Sequence, residues 1–431
     1  MFRKIEQKLI EWKQHPRRKP LIIKGARQVG KTFSIKQFGE GHFECLIVLD
    51  FEKDPGLNQL FEPDLNTARI LRLLEVRFRQ KLQLDRTLLF LDEIQRCPKA
   101  IAALRYFFEE QPRLAVIAAG SLLEFELEKV SFPVGRVQFL HMFPLTFEEF
   151  LLNSKNELLL NYRPALHSSK PLESALHEQF INELKLYFSV GGMPEAVACY
   201  LETHSFLEVA NVHENLVQAY IQDILKHEKN LELDSFALVF SALSRNIGKP
   251  IKYTTLGQGL SVYKTKQILS VLEKSLLAHP VRCSSAASLP LGELNRSSLK
   301  FVLVDIGLLR QMYGLSIDAI MNSKNILSGN LGSLCEQYVG QELMASGGSQ
   351  NHMLYYWARS EKSSNAEVDY LMADEGIIFP LEVKQGPAGT LKSLHLFLKE
   401  HPHCKWGFVL NAGNVGNADS IKFRPLYAKL R

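Results

Sequence analysis

Short apolar runs separated by stretches of helical spacing dominate the first 145 residues of the chain. These runs cover residues 21–23, 45–49, 88–91, 114–119 and 137–140. They are unbroken rather than alternating, which is typical of strands that are buried on both faces of a parallel sheet. The pattern therefore predicts an α/β fold in which helices cover both faces of a parallel sheet.

The pattern changes to predominantly helical spacing after Pro144. Thr146 and Glu149 have the spacing of a capping box, which predicts the first turn of a helix. Residues 234–310 are predicted to form three helices and then a two-stranded hairpin, the element order of a winged helix-turn-helix. A predicted helix over 331–344 and several strand-like runs complete the chain.

The length of 431 residues, at roughly 150 residues per domain, suggests two to three domains. The changes of pattern along the chain predict four. We expect an α/β core over 1–145 and a helical lid over 146–233. A winged helix-turn-helix over 234–310 and a further α/β domain over 311–431 follow.

Composition narrows the classes of protein without identifying one. With 46% hydrophobic and 23% charged residues, the chain resembles an ordinary water-soluble protein, which excludes global disorder. No apolar run approaches the ~20 residues that span a bilayer, and the charged N-terminus lacks a secretory pattern, so we expect a cytoplasmic protein without membrane contact. The six cysteines contain no Cys-x-x-Cys pair, which disfavours a zinc site or a disulfide framework. A net charge of +5 is compatible with nucleic-acid binding but does not establish it.

A phosphate-binding loop follows the first apolar run. It fits G-x-x-x-x-G-K-[ST] at every fixed position and begins a predicted helix, a context that disfavours an ordinary Gly-containing turn. Its glycines let the backbone wrap a phosphate, to which the helix start offers N–H groups. In it Lys31 would reach the β- and γ-phosphates of ATP and Thr32 would bind Mg²⁺. The predicted nucleotide-binding residues are Gly25, Ala26, Arg27, Gln28, Val29, Gly30, Lys31 and Thr32.

Two carboxylates end the apolar run that begins at Thr87. We expect this strand to lie beside the phosphate loop, with Asp92 holding the water shell of Mg²⁺ and Glu93 polarising the attacking water. An isolated apolar run ending in Asp-Glu is usually an ordinary strand end. Its position sixty residues after a phosphate loop favours the catalytic interpretation.

Two further residues are candidates for the ATPase site. Ser121 ends the run 114–119 and would orient water or contact the γ-phosphate, although a serine at a strand end is often only a turn residue. Arg136 lies just before the run 137–140, where AAA-type enzymes place an arginine that completes a neighbouring subunit's site. It would equally suit a role within its own chain or a surface salt bridge.

A second set of charged residues occurs near the C-terminus. Asp369 lies on an alternating strand, and a returning strand about a dozen residues later ends in Glu382, Val383 and Lys384. Residues two apart on a strand share a face, so we expect Glu382 and Lys384 to point the same way, flanking a buried Val383. This is the spacing of the PD-(D/E)xK nucleases.

Metal-dependent phosphodiester cleavage explains these residue types. Asp369 and Glu382 would bind Mg²⁺, with Glu336 on the preceding helix as a further carboxylate ligand. Lys384 would orient the attacking water or stabilise the developing negative charge. A surface hairpin with a routine Glu/Lys pair is the alternative, and whether such a domain cuts or only binds is a separate question.

The predicted third helix of the winged segment begins near Ser261 and would serve as a recognition helix. Its apolar residues Ile268, Val271 and Leu272 are expected to face inward. Tyr263, Lys266 and Gln267 would then face DNA. The alternative is a packing module that merely joins two domains.

Taken together, these motifs resemble a family of prokaryotic AAA-type P-loop ATPases with a C-terminal domain of unknown function that bears a PD-(D/E)xK restriction-endonuclease-like core. The resemblance implies an α/β P-loop NTPase sheet, a helical lid, a winged helix and a nuclease-like C-terminal domain, with ATP and Mg²⁺ as cofactors. The matching stretches span nearly the whole chain: Gly25 to Thr32, Leu89 to Gln95, Ala119 to Ser121, Gly135-Arg136, Phe143 to Phe150, Gly191 to Glu195, Glu367 to Asp369 and Leu381 to Lys384.

Three functional hypotheses follow. The first is an Mg²⁺-dependent ATPase whose nucleotide state controls a C-terminal region that binds nucleic acid, with cleavage left open. DNA is the favoured partner, and a homo-oligomer or partner protein is a further expectation. The second is a non-cleaving ATP-dependent regulator or scaffold with an inert nuclease fold. A small-molecule kinase, the third, is disfavoured by the Asp92-Glu93 pair, the lid and the long C-terminal extension.

Overall fold

The structure is a computed structural model in which residues 1–121, 123–127, 135–154, 156, 161–228, 230–294, 298–323, 326, 331–346, 353–359, 366–374, 376–384 and 391–428 are described. The chain divides into two compact units, Met1–Pro144 and Leu145–Arg431. None of the helices in the described part of the chain is long and apolar enough to cross a membrane.

The described part of the first unit contains a five-stranded parallel sheet in the order β2-β3-β4-β1-β5. Its strands are β1 (Leu21–Lys24), β2 (Cys45–Asp50), β3 (Thr87–Asp92), β4 (Ala115–Gly120) and β5 (Gln138–His141). Its helices are α1 (Ile5–Gln14), α2 (Lys31–His42), α3 (Thr67–Phe78), α4 (Pro98–Glu110) and α5 (Leu123–Leu127), with 3-10 helices over Pro55–Phe61 and Ile94–Arg96.

The predicted parallel α/β sheet is confirmed. Every residue of β3 and β4 is buried, as their unbroken apolar sequences indicated. The end of β3 lies beside the phosphate loop, as expected, although β3 is not the direct neighbour of β1 in the sheet. β4 lies between β1 and β3, so the phosphate loop and Asp92 approach each other at the carboxyl edge of the sheet.

The second unit consists of a helical part followed by a mixed part. Its helices are α6 (Phe147–Asn153), α7 (Ser174–Val190), α8 (Pro194–Thr203), α9 (Phe206–His227), α10 (Leu233–Ser244), α11 (Tyr253–Leu256), α12 (Val262–Lys274), α13 (Ile306–Tyr313), α14 (Ile317–Met321), α15 (Leu331–Ser346) and α16 (Lys392–Glu400), with a 3-10 helix over Arg163–His167. Its strands are β6 (Ile251–Lys252), β7 (Ala278–Cys283), β8 (Ser298–Leu303), β9 (Leu354–Ala358), β10 (Glu367–Asp374), β11 (Ile377–Val383), β12 (Gly407–Asn411), β13 (Gly416–Ala418) and β14 (Ile421–Pro425).

The predicted capping box is present at the start of α6. The Thr146 hydroxyl accepts the Glu149 N–H at 3.2 Å, and the Glu149 carboxylate accepts the Thr146 N–H at 2.9 Å. Each group satisfies a backbone donor that the first helical turn leaves without a partner.

A nine-stranded sheet connects the two C-terminal segments that the sequence divides at residue 310. Among the described residues its order is β13-β14-β12-β11-β10-β9-β7-β8-β6. The joint is a parallel pair between β7 and β9, in which Val281 lies opposite Leu354 and Cys283 opposite Tyr356. The hairpin β7-β8 therefore continues the sheet of the C-terminal segment, and the two predicted domains share one sheet.

The Gly191-Gly192 pair forms a close approach between backbone segments of this unit. Gly191 has a φ of +75°, and the Gly192 N–H donates to the Asp305 carboxylate at 2.6 Å. The same carboxylate caps α13 by accepting the Leu308 N–H at 3.0 Å. Because a Cβ on Gly192 would overlap the carbonyl oxygen of Leu145, only glycine fits at this position.

Candidate nucleotide site and a buried carboxylate cluster

The phosphate loop joins β1 to the N-terminus of α2. Gln28 and Gly30 have positive φ values of 64° and 93°, which turn the backbone sharply before Lys31 begins the helix. A Cβ on Gly25 would overlap the carbonyl oxygen of Met142, so this glycine permits the loop to pass close to the chain after β5. Ala26 and Val29 are buried and anchor the loop, which leaves its N–H groups at the start of α2 for a phosphate.

Lys31 is folded onto its own loop. Its ammonium donates to the carbonyl oxygens of Gly25 at 2.8 Å and Ala26 at 2.7 Å, and the side chain is buried. Burial lowers the pKa of Lys31 to about 8, against the opposing effect of Glu93 and Asp92. Its hydrogen-bond partners here are neutral carbonyl oxygens, and a polyphosphate bound to the loop would supply negatively charged acceptors.

Thr32 and Asp92 meet across the edge of the sheet. The Thr32 hydroxyl donates to the Asp92 carboxylate at 3.2 Å. Burial raises the pKa of Asp92 to about 6, with the negative charges of Glu93 and Asp50 adding to the effect. A hydroxyl and a carboxylate that already lie together are hard oxygen donors of the kind that Mg²⁺ prefers, so these residues fit that ion.

Glu93 is held by two side chains next to this pair. Its Oε2 accepts the Gln95 side-chain N–H at 2.5 Å and the Ser121 hydroxyl at 3.4 Å. Glu93 has a φ of 49°, which directs its side chain away from the line of β3. Ser121 was among the candidates predicted from the sequence, whereas Gln95 was not. The only sequence signal for Gln95 is its position two residues after the Asp-Glu pair.

The two candidate arginines of this unit make ion pairs with glutamates. Arg27 in the loop lies 3.8 Å from the Glu52 carboxylate. Arg136 donates to Glu109 at 2.8 Å, and both of these side chains are partly exposed. The structure thus contains the surface salt bridge that was one of the alternatives for Arg136, while its role in an assembly stays a prediction.

In the second unit, Asp369, Glu382 and Lys384 come together as predicted from their spacing. The Lys384 ammonium lies 2.8 Å from the Glu382 carboxylate, and Asp369 Oδ2 accepts the Val383 N–H at 2.8 Å. Burial of the middle residue was predicted wrongly: Val383 is half-buried, whereas Glu382 is only 2% exposed. The reason is that α15, which contains Glu336, packs against β11.

A lysine that the sequence analysis did not select completes this group. The Lys300 ammonium, on β8, lies 2.6 Å from Glu336, 2.8 Å from Glu367 and 3.9 Å from Asp369. We call Lys300, Glu336, Glu367, Asp369, Glu382 and Lys384 the carboxylate cluster.

Charges in the carboxylate cluster shift one another's protonation. Burial works against the charge of Lys300, but Glu336, Asp369 and Glu367 outweigh it and hold the Lys300 pKa well above its ordinary value. Burial raises the pKa of Glu382, and Asp369 adds to the effect against the attraction of Lys384. One oxygen of Glu382, Oε2, has no hydrogen-bond partner within the described chain. Within that same part of the chain, no three His, Cys, Asp or Glu side chains are arranged to hold a metal ion.

The helix α12 presents the residues that the sequence analysis assigned to its two faces. Ile268, Val271 and Leu272 are buried, as expected. Tyr263 is 78% exposed, Lys266 is exposed and Gln267 is half-buried. The Lys266 ammonium lies 4.8 Å from the ring centre of Tyr253, so a positive charge and an aromatic ring occur together near this surface.

Comparison with known families divides the chain into three matching segments. Residues 17–151 match a family described as an AAA domain. Residues 181–319 and 331–426 match two families described as domains of unknown function, DUF8612 and DUF4143. None of the curated proteins matches the chain. The matched segment contains the phosphate loop, and this similarity supports an AAA-type P-loop ATPase domain over residues 17–151.

Several solved structures are partly similar to this chain. The Walker-type ATPase of Pyrococcus abyssi is 15% identical with a TM-score of 0.46, over 72% of this chain and 95% of that one. The Aeropyrum pernix ORC1 protein in complex with DNA is 12% identical with a TM-score of 0.30, over 73% and 92% of the two chains. The Thermotoga maritima RuvB Holliday junction branch migration motor is 14% identical with a TM-score of 0.30, over 64% and 89%.

Proposed function

We propose that this protein is an Mg²⁺-dependent ATPase whose nucleotide state controls a nucleic-acid-binding C-terminal unit, with DNA as the favoured partner. The convergence of Lys31, Thr32, Asp92 and Glu93 at one edge of the parallel sheet carries the ATPase part of the proposal. These residue types in this arrangement are those that bind and hydrolyse nucleoside triphosphates.

Each residue of the nucleotide site has a separate task in hydrolysis. Lys31 exchanges its two loop carbonyls for the β- and γ-phosphate oxygens of ATP, and the N–H groups at the start of α2 bind the phosphates. Thr32 and Asp92 would hold Mg²⁺, which supplies neutralisation of the phosphate charge. Glu93 accepts a hydrogen bond from the attacking water and polarises it, while Ser121 and Gln95 fix the position of the Glu93 carboxylate.

The element order α10-β6-α11-α12-β7-β8 supports a winged helix-turn-helix in the second unit. β6 pairs antiparallel with β8, and β8 pairs antiparallel with β7, so the hairpin and the short strand form a wing at one end of the nine-stranded sheet. In this interpretation α12 is the recognition helix, with Tyr263 and Lys266 on the surface that faces nucleic acid. Lysine contacts to phosphates would provide affinity, and the aromatic ring would contact sugar or base.

The order α15-β9-β10-β11-α16-β12 supports a nuclease-like core in the same unit. The hairpin β10-β11 is antiparallel and β11 pairs in parallel with β12, which places Asp369 and Glu382 on adjacent strands. Only the sequence pattern supports a role in cleavage for Asp369, Glu382 and Lys384. The same holds for Glu336 as a metal ligand. A second candidate function is a non-cleaving ATP-dependent regulator. One observation favours it: the Lys300 ammonium lies among the carboxylates of the cluster, 2.6 Å from Glu336.

The proposal is tested by measuring ATP hydrolysis by the full chain with double-stranded DNA, single-stranded DNA, RNA and no nucleic acid. We expect turnover that DNA stimulates and that Lys31→Ala abolishes. Stimulation should weaken steeply as salt is raised, because phosphate contacts release counterions. Equal turnover in wild type and Lys31→Ala would refute the ATPase, and turnover that no nucleic acid changes would refute the coupling.

A further inference from the structure

Lys300 is a buried cation at the centre of a group of carboxylates. Only 1% of its side chain is exposed, and its ammonium lies within 2.8 Å of both Glu336 and Glu367. Asp369 is the third carboxylate within reach, at 3.9 Å. A charge that is removed from water to this extent needs opposite charges close by, and these three residues supply them.

The continuous sheet explains how Lys300 reaches this position. Lys300 lies opposite Val281 in the β7-β8 hairpin, and Val281 in turn lies opposite Leu354 in the parallel pair of β7 with β9. The lysine is therefore fixed by backbone pairing to the strands of the nuclease-like core. Its ammonium also lies 5.4 Å from the ring centre of Tyr356 on β9.

A divalent cation at the same carboxylates would have to compete with this ammonium. Two positive charges about 4 Å apart repel each other strongly in a buried site. Glu336 and Glu367 are already engaged by Lys300, and Glu382 is engaged through one oxygen by Lys384. Each of these three glutamates thus gives one oxygen to a lysine, and one oxygen of Asp369 accepts the Val383 N–H, so a metal would have to share the carboxylates with two ammonium groups. Within the described part of the chain, no three such side chains are arranged to hold a metal ion.

We propose that Lys300 is the resident counter-cation of the carboxylate cluster, which takes the place of a divalent metal and makes the nuclease-like core a metal-free binding module. The inference rests on the nuclease-like interpretation of the second unit proposed above. In this molecule Glu336 pairs with lysine and does not bind a metal, and the cluster ties the β7-β8 hairpin to α15. The C-terminal unit then binds its partner without hydrolysing it.

The proposal is tested by counting Mn²⁺ ions bound to the full chain, without nucleotide or nucleic acid, by electron paramagnetic resonance. Wild type and Asp369→Asn should bind the same number of ions. Lys300→Met, which keeps the length of the side chain and removes its charge, should gain one site that binds Mn²⁺ at least about tenfold tighter than wild type. The gained site should disappear in the double variant Lys300→Met/Asp369→Asn. The matched control is Lys252→Met, which changes an exposed lysine on β6 and should gain no site.

Two results would overturn the proposal. One is a wild-type Mn²⁺ site that Asp369→Asn removes, and the other is a folded Lys300→Met variant that gains no site. If Lys300→Met does not fold, Lys300→Met/Glu336→Gln removes one charge of each sign and takes its place with the same expected gain. The comparison of wild type with Asp369→Asn needs no change at Lys300 and can overturn the proposal by itself. Since ATP and DNA are absent, the outcome is independent of whether nucleotide controls nucleic-acid binding.

Discussion

The pKa of Lys31 leads to a quantitative prediction for ATP binding. Without nucleotide, burial holds this pKa at about 8, whereas an ordinary lysine titrates at about 10.4. Bound phosphates favour the charged ammonium, so ATP binding above pH 8 must be accompanied by uptake of a proton. The apparent dissociation constant should therefore increase by a factor of about 1 + 10^(pH − 8), which is close to 1 at pH 7 and about 11 at pH 9.

The measurement is a titration of the full chain with a fluorescent ATP analogue between pH 7 and 9.5. Mg²⁺ is omitted so that metal binding at Asp92 does not affect ATP binding. The pKa of Asp92, about 6, lies below the pH range of the titration, so protonation of this residue does not contribute. The factor of about 11 corresponds to about 1.4 kcal/mol of binding free energy. Lys31→Arg is the matched control, because a guanidinium stays charged over the whole range and should show no such dependence.

A flat pH profile for wild type would refute the prediction, because it would mean that Lys31 is not charged by the ligand. An equal slope in wild type and Lys31→Arg would also refute it, since the proton would then belong to another group. The expected result is a slope that approaches one decade per pH unit above pH 8 and that is specific to the lysine.

Four further predictions concern other parts of the molecule. Below about pH 6 Asp92 becomes protonated, so the Mg²⁺ concentration needed for tight ATP binding should rise about tenfold per pH unit, and Asp92→Asn should remove this rise. Gln95→Leu removes a hydrogen bond to a carboxylate, so steady-state kinetics should show kcat lowered about tenfold or more with unchanged ATP affinity. Gly192→Ala should cost about 1–3 kcal/mol of unfolding free energy in denaturant titrations, whereas Gly292→Ala, where a Cβ meets no atom, should cost much less. Burial lowers the pKa of His213 to about 3, so stability should fall as the pH falls from about 6.5 toward 3, and His213→Gln should remove this part of the slope.

The candidate nucleotide site could be predicted from the sequence because its residues lie in two short, contiguous motifs. Gly25 to Thr32 form one uninterrupted motif, and Asp92 and Glu93 end a strand whose apolar residues are unbroken. Both signals are local, so they do not depend on knowing how the strands are ordered. The order of the strands, with β4 between β1 and β3, is a long-range property that these local signals do not specify.

The role of Lys300 could not be predicted for the same reason. It lies 36 positions before Glu336, and nothing in the local pattern of β8 distinguishes it from an exposed strand lysine. Its burial depends on the parallel pairing of β7 with β9, which brings together strands that are far apart along the chain. Parallel pairs require long connections, and no local sequence signal specifies which strands they join.

Several elements at the end of the chain were missed for another reason. The helix α16 and the strands β13 and β14 are short, and β13 has only three residues. Strands of three to five residues have too few positions for a two-residue alternation to be recognised. The buried Glu382 was likewise unexpected, because alternation along a strand predicts a charged residue on the exposed face unless something outside the strand covers it.

The most direct test of the account is the DNA affinity of Glu93→Gln, a variant designed to bind ATP without hydrolysing it, with ATP·Mg²⁺ and without nucleotide at one fixed salt concentration. If nucleotide state controls the C-terminal unit, the two dissociation constants should differ by at least about fivefold, and DNA should change ATP affinity by the same factor. Lys31→Ala should show no difference on adding ATP. Identical DNA affinities of Glu93→Gln with and without ATP, with ATP binding verified, would contradict the account.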